Sequence, residues 1–270
     1  MTILIVLLGL LLSHLVYPVA RWRSFDWLAA PLRLVDRRYP ERDWAPAALV
    51  SGLALLLALI LTVPATVLAG QAGWFVMALL MFIYTLGPRD LDRDVQSLLV
   101  GGNDSRYLKA RRVMRIRADA GPRQAAAAVF HAAQARWFGI LFWFVILGVA
   151  GALLYRLTRE SLHVQDLGPG QSAWLVHLRR ILDWPVLVLM LLSAALGGDY
   201  DRIRQAWQLH NQGRSVWLLD ETVLDQLAEA VVDETISFED GVSTGHHLVW
   251  RMLMIWLVVL SLLLIAGWLS

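Results

Sequence analysis

The stretch APAALVSGLALLLALILTVPATVLAGQAGWFVMALLMFIYTLG, Ala45 to Gly87, decides the fold class, because it passes without a single Asp, Glu, Lys or Arg. A helix needs about 20 apolar residues to cross a hydrocarbon core of about 30 Å. The stretch holds two blocks, Ala45 to Ala69 and Trp74 to Gly87, parted only by Gly70-Gln71-Ala72-Gly73. That spacing predicts a tight helical hairpin.

Other apolar blocks lie on either side. Ile3 to Val19 is interrupted by Ser13 and His14 and followed at once by Arg21 and Arg23. Positive charges after the apolar core, rather than before it, read as an uncleaved anchor and not as a signal peptide. Trp137 to Tyr155 and Met252 to Leu269 are each long enough to span. A sixth block, Trp184 to Gly197, is short and opens on Asp183-Trp184-Pro185, so it reads either as a short span or as a re-entrant or interfacial helix. The expectation is an all-α polytopic membrane protein with five to six transmembrane helices and a cytoplasmic helical region. Its expected parts are 1–87 with three spans, a basic region 88–136, a membrane region 137–197, an acidic region 198–247 and a last span within 248–270.

Whole-chain composition agrees. Of 270 residues 58% are hydrophobic and 17% charged, with mean hydropathy +0.55, against about 25% charged in soluble domains. This excludes a soluble enzyme, a disordered chain and a disulfide scaffold. The absence of Cys removes thiolate nucleophiles, iron–sulfur clusters and cysteine zinc sites.

Orientation follows from the basic loops, which stay on the cytoplasmic side. Six Arg lie between the first two blocks, at 21, 23, 33, 37, 38 and 42, and nine Arg plus Lys109 lie in 88–136. Both segments are expected in the cytoplasm, with 156–172 external. Trp22, Trp44, Trp74, Trp137, Trp250 and Trp268 fall near block ends, where indoles anchor at headgroups.

The basic region reads as three helices. Pro88 starts one that Gly101-Gly102 stop; Asn103, Asp104 and Ser105 offer caps for a second over 106–118; Gly121-Pro122 open a third. The second carries Arg106, Lys109, Arg111, Arg112, Arg115 and Arg117 all round its axis, a patch suited to anionic headgroups, a phosphate or an acidic protein partner. No aromatic or groove-reading motif points to nucleic acid. The acidic region has ten Asp or Glu against three Arg. There, Asp220 caps a helix with Val223, Leu224, Leu227 and Val231 on one stripe, and Tyr200, Ile203, Trp207 and His210 share a face of a preceding helix. If Trp184 to Gly197 spans, the two regions share one side, and their formal charges of +5 and −7 invite them to dock on each other; if it does not, 198–247 lies on the opposite side.

Candidate chemistry is sparse. Asp90 and Asp94 share a helical face and suit either Mg²⁺ or Arg partners, with Arg89–Asp92 and Asp90–Arg93 pairing as the structural alternative. His14 is an intramembrane polar group. Asp183 stands beside Trp184 where a polar helix meets an apolar one, with Arg179 four residues back. His246 and His247 follow Glu239 and Asp240 in a loop, a weak metal signal with no ligand set behind it. No Walker P-loop, nucleophile elbow or dinucleotide glycine motif occurs, and no cofactor is implied.

These pieces resemble the AmpE family, bacterial inner-membrane proteins related to the CobD/CbiB cobalamin-pathway family. The resemblance is carried by Asn103-Asp104-Ser105 before a basic helix, Leu141-Phe142-Trp143 in a span, Gly151-Ala152-Leu153-Leu154-Tyr155-Arg156 closing it, and Leu182-Asp183-Trp184-Pro185. The CobD/CbiB synthases have a Glu-Asn-x-x-Asp segment before a Pro-Leu-Phe-Trp element. Here His131 to Arg136 holds no Glu, Asp or Asn, and Ile140 replaces the Pro. The resemblance therefore implies a non-enzymatic regulatory protein of the Gram-negative inner membrane, linked to anhydro-muropeptide recycling and β-lactamase induction and meeting a cytoplasmic or membrane protein partner. Two readings compete with it. One is an ATP- and Mg²⁺-dependent synthase using Asp90, Asp94 and Asp183; the other is a transporter of a small anionic solute using His14 and the Arg cluster.

Overall fold

The computed structural model describes residues 2–15, 24–87, 90–102, 104–164, 167–210 and 219–266. Among them every regular element is helical: α1 (Thr2–Leu15), a 3-10 turn (Asp26–Leu28), α2 (Ala29–Arg38), α3 (Ala45–Thr85), α4 (Leu91–Val100), α5 (Ser105–Val113), α6 (Pro122–Ala133), a π-turn (Gln134–Phe138), α7 (Gly139–Ser161), α8 (Pro169–Gly197), α9 (Tyr200–His210), α10 (Thr222–Val231) and α11 (Phe238–Ile265). Four helices are long and apolar enough to cross a membrane: Ala45–Thr85, Pro122–Ser161, Pro169–Gly197 and Phe238–Leu263. The described residues are thus all-helical, with four helices that could span a membrane. It divides into two compact units, Met1–Pro88 with Gly139–Leu182, and Arg89–Phe138 with Asp183–Leu269.

In the first unit α3 is two antiparallel arms. Ala69 leaves the helical region (φ −133°, ψ 16°) and Gly70 takes φ 59°, ψ −143°, a backbone that glycine adopts without a Cβ penalty. A Cβ on Gly73 would overlap the Ala65 carbonyl. Residues eight apart in a straight helix are separated by about 12 Å, so the chain has reversed, as the Gly70-Gln71-Ala72-Gly73 spacing predicts.

The same turn recurs where the sequence predicts a single crossing. Gly148 in α7 has φ 62°, ψ −146°. A Cβ on Gly151 would overlap the Trp143 carbonyl, and Gly139 makes room for the ring of Tyr155. Gly148-Val149-Ala150-Gly151 thus repeats the Gly-x-Ala-Gly pattern of 70–73, and Trp137 to Tyr155 is two arms joined by a turn, not one straight helix. Arg156, 8% exposed, returns to pack against Gly87, lies 5.2 Å over the Phe25 ring and pairs with Glu160 at 2.6 Å. The chain after Tyr155 therefore sits where the chain leaves for residue 88.

α3 and α7 pack on each other, with the Phe82 and Phe144 rings 4.7 Å apart. α1 lies on α3, where Gly9 admits the Phe82 ring. The start of α8 is held by the C-terminal end of α2: Asp36 accepts from the Gly168 N–H at 3.0 Å and Gln171 donates to the carbonyl of the C-cap Tyr39 at 3.2 Å. Carboxylates near a helix N-terminus satisfy its orphan N–H groups and its dipole. Helix α8 continues to Gly197 with Pro185 inside it, so Asp183-Trp184-Pro185 lies mid-helix instead of opening a separate block.

The second unit is built around α6 and α11. Gly241 and Gly245, one turn apart in Gly241-Val242-Ser243-Thr244-Gly245, lie against the backbone of Pro122 and Ala126, a small-xxx-small spacing that lets helix axes approach. α11 starts at Phe238, so the residues around His246 that read as a loop are helical. Antiparallel to α11, α8 places Gly197 against Arg251 and Ile255, and Trp256 Nε1 donates to Ser193 Oγ at 3.1 Å. α10 buries Val223, Leu224, Leu227 and Ala228 against α6 and α9. The N-cap of α10 is Glu221, not Asp220 as expected; Asp220, one residue earlier, accepts from the Thr222 N–H at 3.1 Å.

The acidic and basic regions do meet. His131 Nε2 lies 2.9 Å from Asp225 Oδ1, and Arg123 pairs with Glu234 at 3.2 Å while donating to the Val232 carbonyl at 3.0 Å. The Arg111 guanidinium lies 5.0 Å over the Phe238 ring. α5 stops at Val113 rather than near Ala118, because Arg115 takes φ 56° while Met114 and Ile116 on either side turn inward to burial.

Candidate functional site

A set of mostly buried polar groups lies in the second unit, where the first turn of α4 meets the π-turn and α11. Asp90 caps α4 by accepting the Asp92 N–H at 3.1 Å, which fixes the direction in which the next two carboxylates leave the helix. Asp92 Oδ1 lies 2.6 Å from His246 Nε2 and accepts from Trp250 Nε1 at 3.2 Å. Trp250 Nε1 is also 3.1 Å from His246 Nε2. His246 and Trp250 are four apart and share one face of α11, so a single helical surface supplies both partners. The His246 and Asp92 side chains are 18% and 14% exposed.

Asp94 leaves α4 in a different direction and accepts from Arg136 Nη1 at 2.8 Å. Arg136 belongs to the π-turn, whose extra residue per turn re-aims side chains and recurs at functional positions. Gln134 in that turn is fully buried. An aromatic floor closes the cluster: Trp137 lies 5.6 Å from Trp250, edge to face, and Phe138 lies 5.0 Å from Trp256. Trp137, 5% exposed, and Trp250 are therefore packed into the protein, not simple headgroup anchors. The imidazole–carboxylate and arginine–carboxylate pairs tie α4 to α11 and to the π-turn.

Several expected site residues lie elsewhere. Asp90 is a helix cap and Asp94 the acceptor of Arg136, so the two do not jointly face an open position for Mg²⁺. Among the described residues no group of three or more His, Asp or Glu is arranged to hold a metal. Asp183 is 2% exposed inside α8 and Trp184 beside it is half-buried. Asp104 is exposed and accepts from Ser105 Oγ at 3.3 Å; Asn103 and Arg89 lie outside the described residues. Of the basic patch, Arg106, Lys109, Arg112, Arg115 and Arg117 are exposed. Arg111 is half-buried, donating to the Tyr107 hydroxyl at 2.7 Å and to the Arg117 carbonyl. His14 is within α1, its side chain outside the described set.

The sequence reading passed over Arg136 and Gln134, and it gave Trp250 only an anchoring role. The signal that finds Trp250 is the i,i+4 spacing of His246 and Trp250; the π-turn leaves no sequence signature of its own. No family model matches the chain, and no curated protein and no solved structure matches it either.

Proposed function

We propose that this is a regulatory protein of the Gram-negative inner membrane, of the AmpE kind, that relays a cell-wall recycling signal toward β-lactamase induction. The observation that carries the reading is the joining of the acidic and basic regions through His131–Asp225 and Arg123–Glu234. One charge-paired helical assembly next to apolar helices suits a part that changes packing in response to a membrane or cytoplasmic signal. The exposed Arg106, Lys109, Arg112, Arg115 and Arg117 suit anionic headgroups and a partner protein with an acidic face. The synthase reading loses support because the carboxylates of Asp90 and Asp94 are spent on a helix cap and on Arg136.

The test is β-lactamase induction by a β-lactam in cells deleted for the gene and complemented with wild type or with Arg123→Glu. Induction altered by deletion, restored by wild type and not restored by Arg123→Glu at equal membrane abundance supports the reading. Unchanged induction in all three, with ATP turnover by the purified protein, replaces it with the synthase.

A further inference from the structure

We propose that the second hairpin, turned at Gly148, is a re-entrant element that dips into one leaflet from the side bearing residues 36–43 and 156–164, and presents Ile146 and Leu147 to its acyl chains. Three observations carry this. First, both ends of the hairpin are at one place. Tyr155 returns to Gly139 and Arg156 to Gly87, while Gly168, twelve residues on, is held by Asp36.

Second, the hairpin is too short to cross. Arg136 and Arg156 bracket an uncharged run; from Arg136 to Leu147 a helix rises about 17 Å, roughly half of a core of about 30 Å. The first hairpin differs, since its longer arm, 45–68, rises about 36 Å and carries Leu68 at its tip, 86% exposed.

Third, the tip is apolar and outward: Ile146 is 58% and Leu147 51% exposed, with no charge nearby to hold them at a headgroup surface. Irregular backbone at membrane depth is tolerated where protein covers it. Here the departure from helical geometry is confined to Gly148, and the arms pack on α3. The Gly-x-Ala-Gly turn makes this possible, reversing the chain in one residue while the second glycine lets the arms close.

The chain has no cysteine, so single substitutions report position directly. Arg37→Cys, His163→Cys, Leu147→Cys and Leu68→Cys, all at exposed positions, are made in the full-length protein. They are probed in inside-out and right-side-out vesicles with a membrane-impermeant maleimide. Leu147→Cys and Leu68→Cys are also labelled with bimane and reconstituted with lipids brominated at graded depths. The proposal expects Arg37→Cys and His163→Cys to label from the same side. It expects Leu147→Cys to resist labelling from both sides and to be quenched most by bromines deep in the chains. Leu68→Cys is expected to be quenched by bromines nearer the opposite surface. Labelling of Arg37→Cys and His163→Cys from opposite sides overturns the proposal, as does impermeant labelling of Leu147→Cys from either side.

Discussion

His246 on α11 and Asp92 on α4 stand 2.6 Å apart, joined to Trp250 in a three-way contact. The pair closes α4 onto α11 through groups that are mostly buried. His246→Ala leaves a largely buried carboxylate without one of its partners, which costs about 1–3 kcal/mol. Thermal unfolding in detergent is expected to show Asp92→Asn and His246→Ala each destabilising, and the double variant costing less than their sum.

Arg136 and Asp94 form the more buried pair, with side chains 11% and 6% exposed. Removing one partner strands a charge, at about 3–5 kcal/mol. Asp94→Asn and Arg136→Met are both expected to lower the unfolding midpoint strongly. Asp94→Leu combined with Arg136→Met is expected to recover most of the loss, because a well-packed apolar pair has no desolvation to offset.

The two glycines of α11 grade a packing prediction. A Cβ on Gly241 would meet Pro122 backbone atoms, while one on Gly245 would sit 3.0 Å from Ala126 Cα and 3.1 Å from its Cβ. Overpacking of this kind costs about 1–3 kcal/mol. Gly241→Ala is expected near the upper end and Gly245→Ala near the lower, by the same unfolding assay.

Gly70 and Gly148 are expected to resist replacement for a conformational reason. Both hold positive φ, and neither has an atom near where a Cβ would be. Ala at either position is expected to cost about 1–3 kcal/mol from backbone strain, with no clash to relieve. A second-site change that enlarges space nearby is expected not to rescue it.

Asp233 gives a pH prediction outside the membrane. The backbone and side-chain hydrogen bonds from Thr235 hold its carboxyl below the ordinary aspartate range. A lowered folded value means the stabilisation is present above the unfolded aspartate pKa and is lost as pH falls through the folded value. Carbon NMR of labelled aspartate is expected to find Asp233 titrating below an unstructured aspartate, and Thr235→Ala to move it upward.

Much of the helical class was legible because uncharged runs such as 45–87 leave one physical option, and Val223, Leu224 and Leu227 of the expected α10 stripe are buried as helical spacing requires. The reversal at Gly148 was harder to see. At 70–73 a polar Gln marks the turn, whereas at 148–151 the residue after the first glycine is Val149, and an apolar run hides the break. Only the recurrence of Gly-x-Ala-Gly distinguishes it. His246 read as loop because Gly241, Gly245 and nearby acids resemble a linker; their one-turn spacing is a packing face visible only once α6 is beside it. Arg136 was not legible, since its approach to Asp94 depends on the π-turn and on a partner 42 residues away.

The joining of the acidic and basic regions is tested most directly with cysteine pairs in the cysteine-free chain. Arg123→Cys with Glu234→Cys, and His131→Cys with Asp225→Cys, are treated in native membranes with a short bifunctional maleimide. Efficient intramolecular cross-linking of both pairs is the expected result. Absence of cross-linking, with the two cysteines of a pair labelled from opposite membrane faces, contradicts the account.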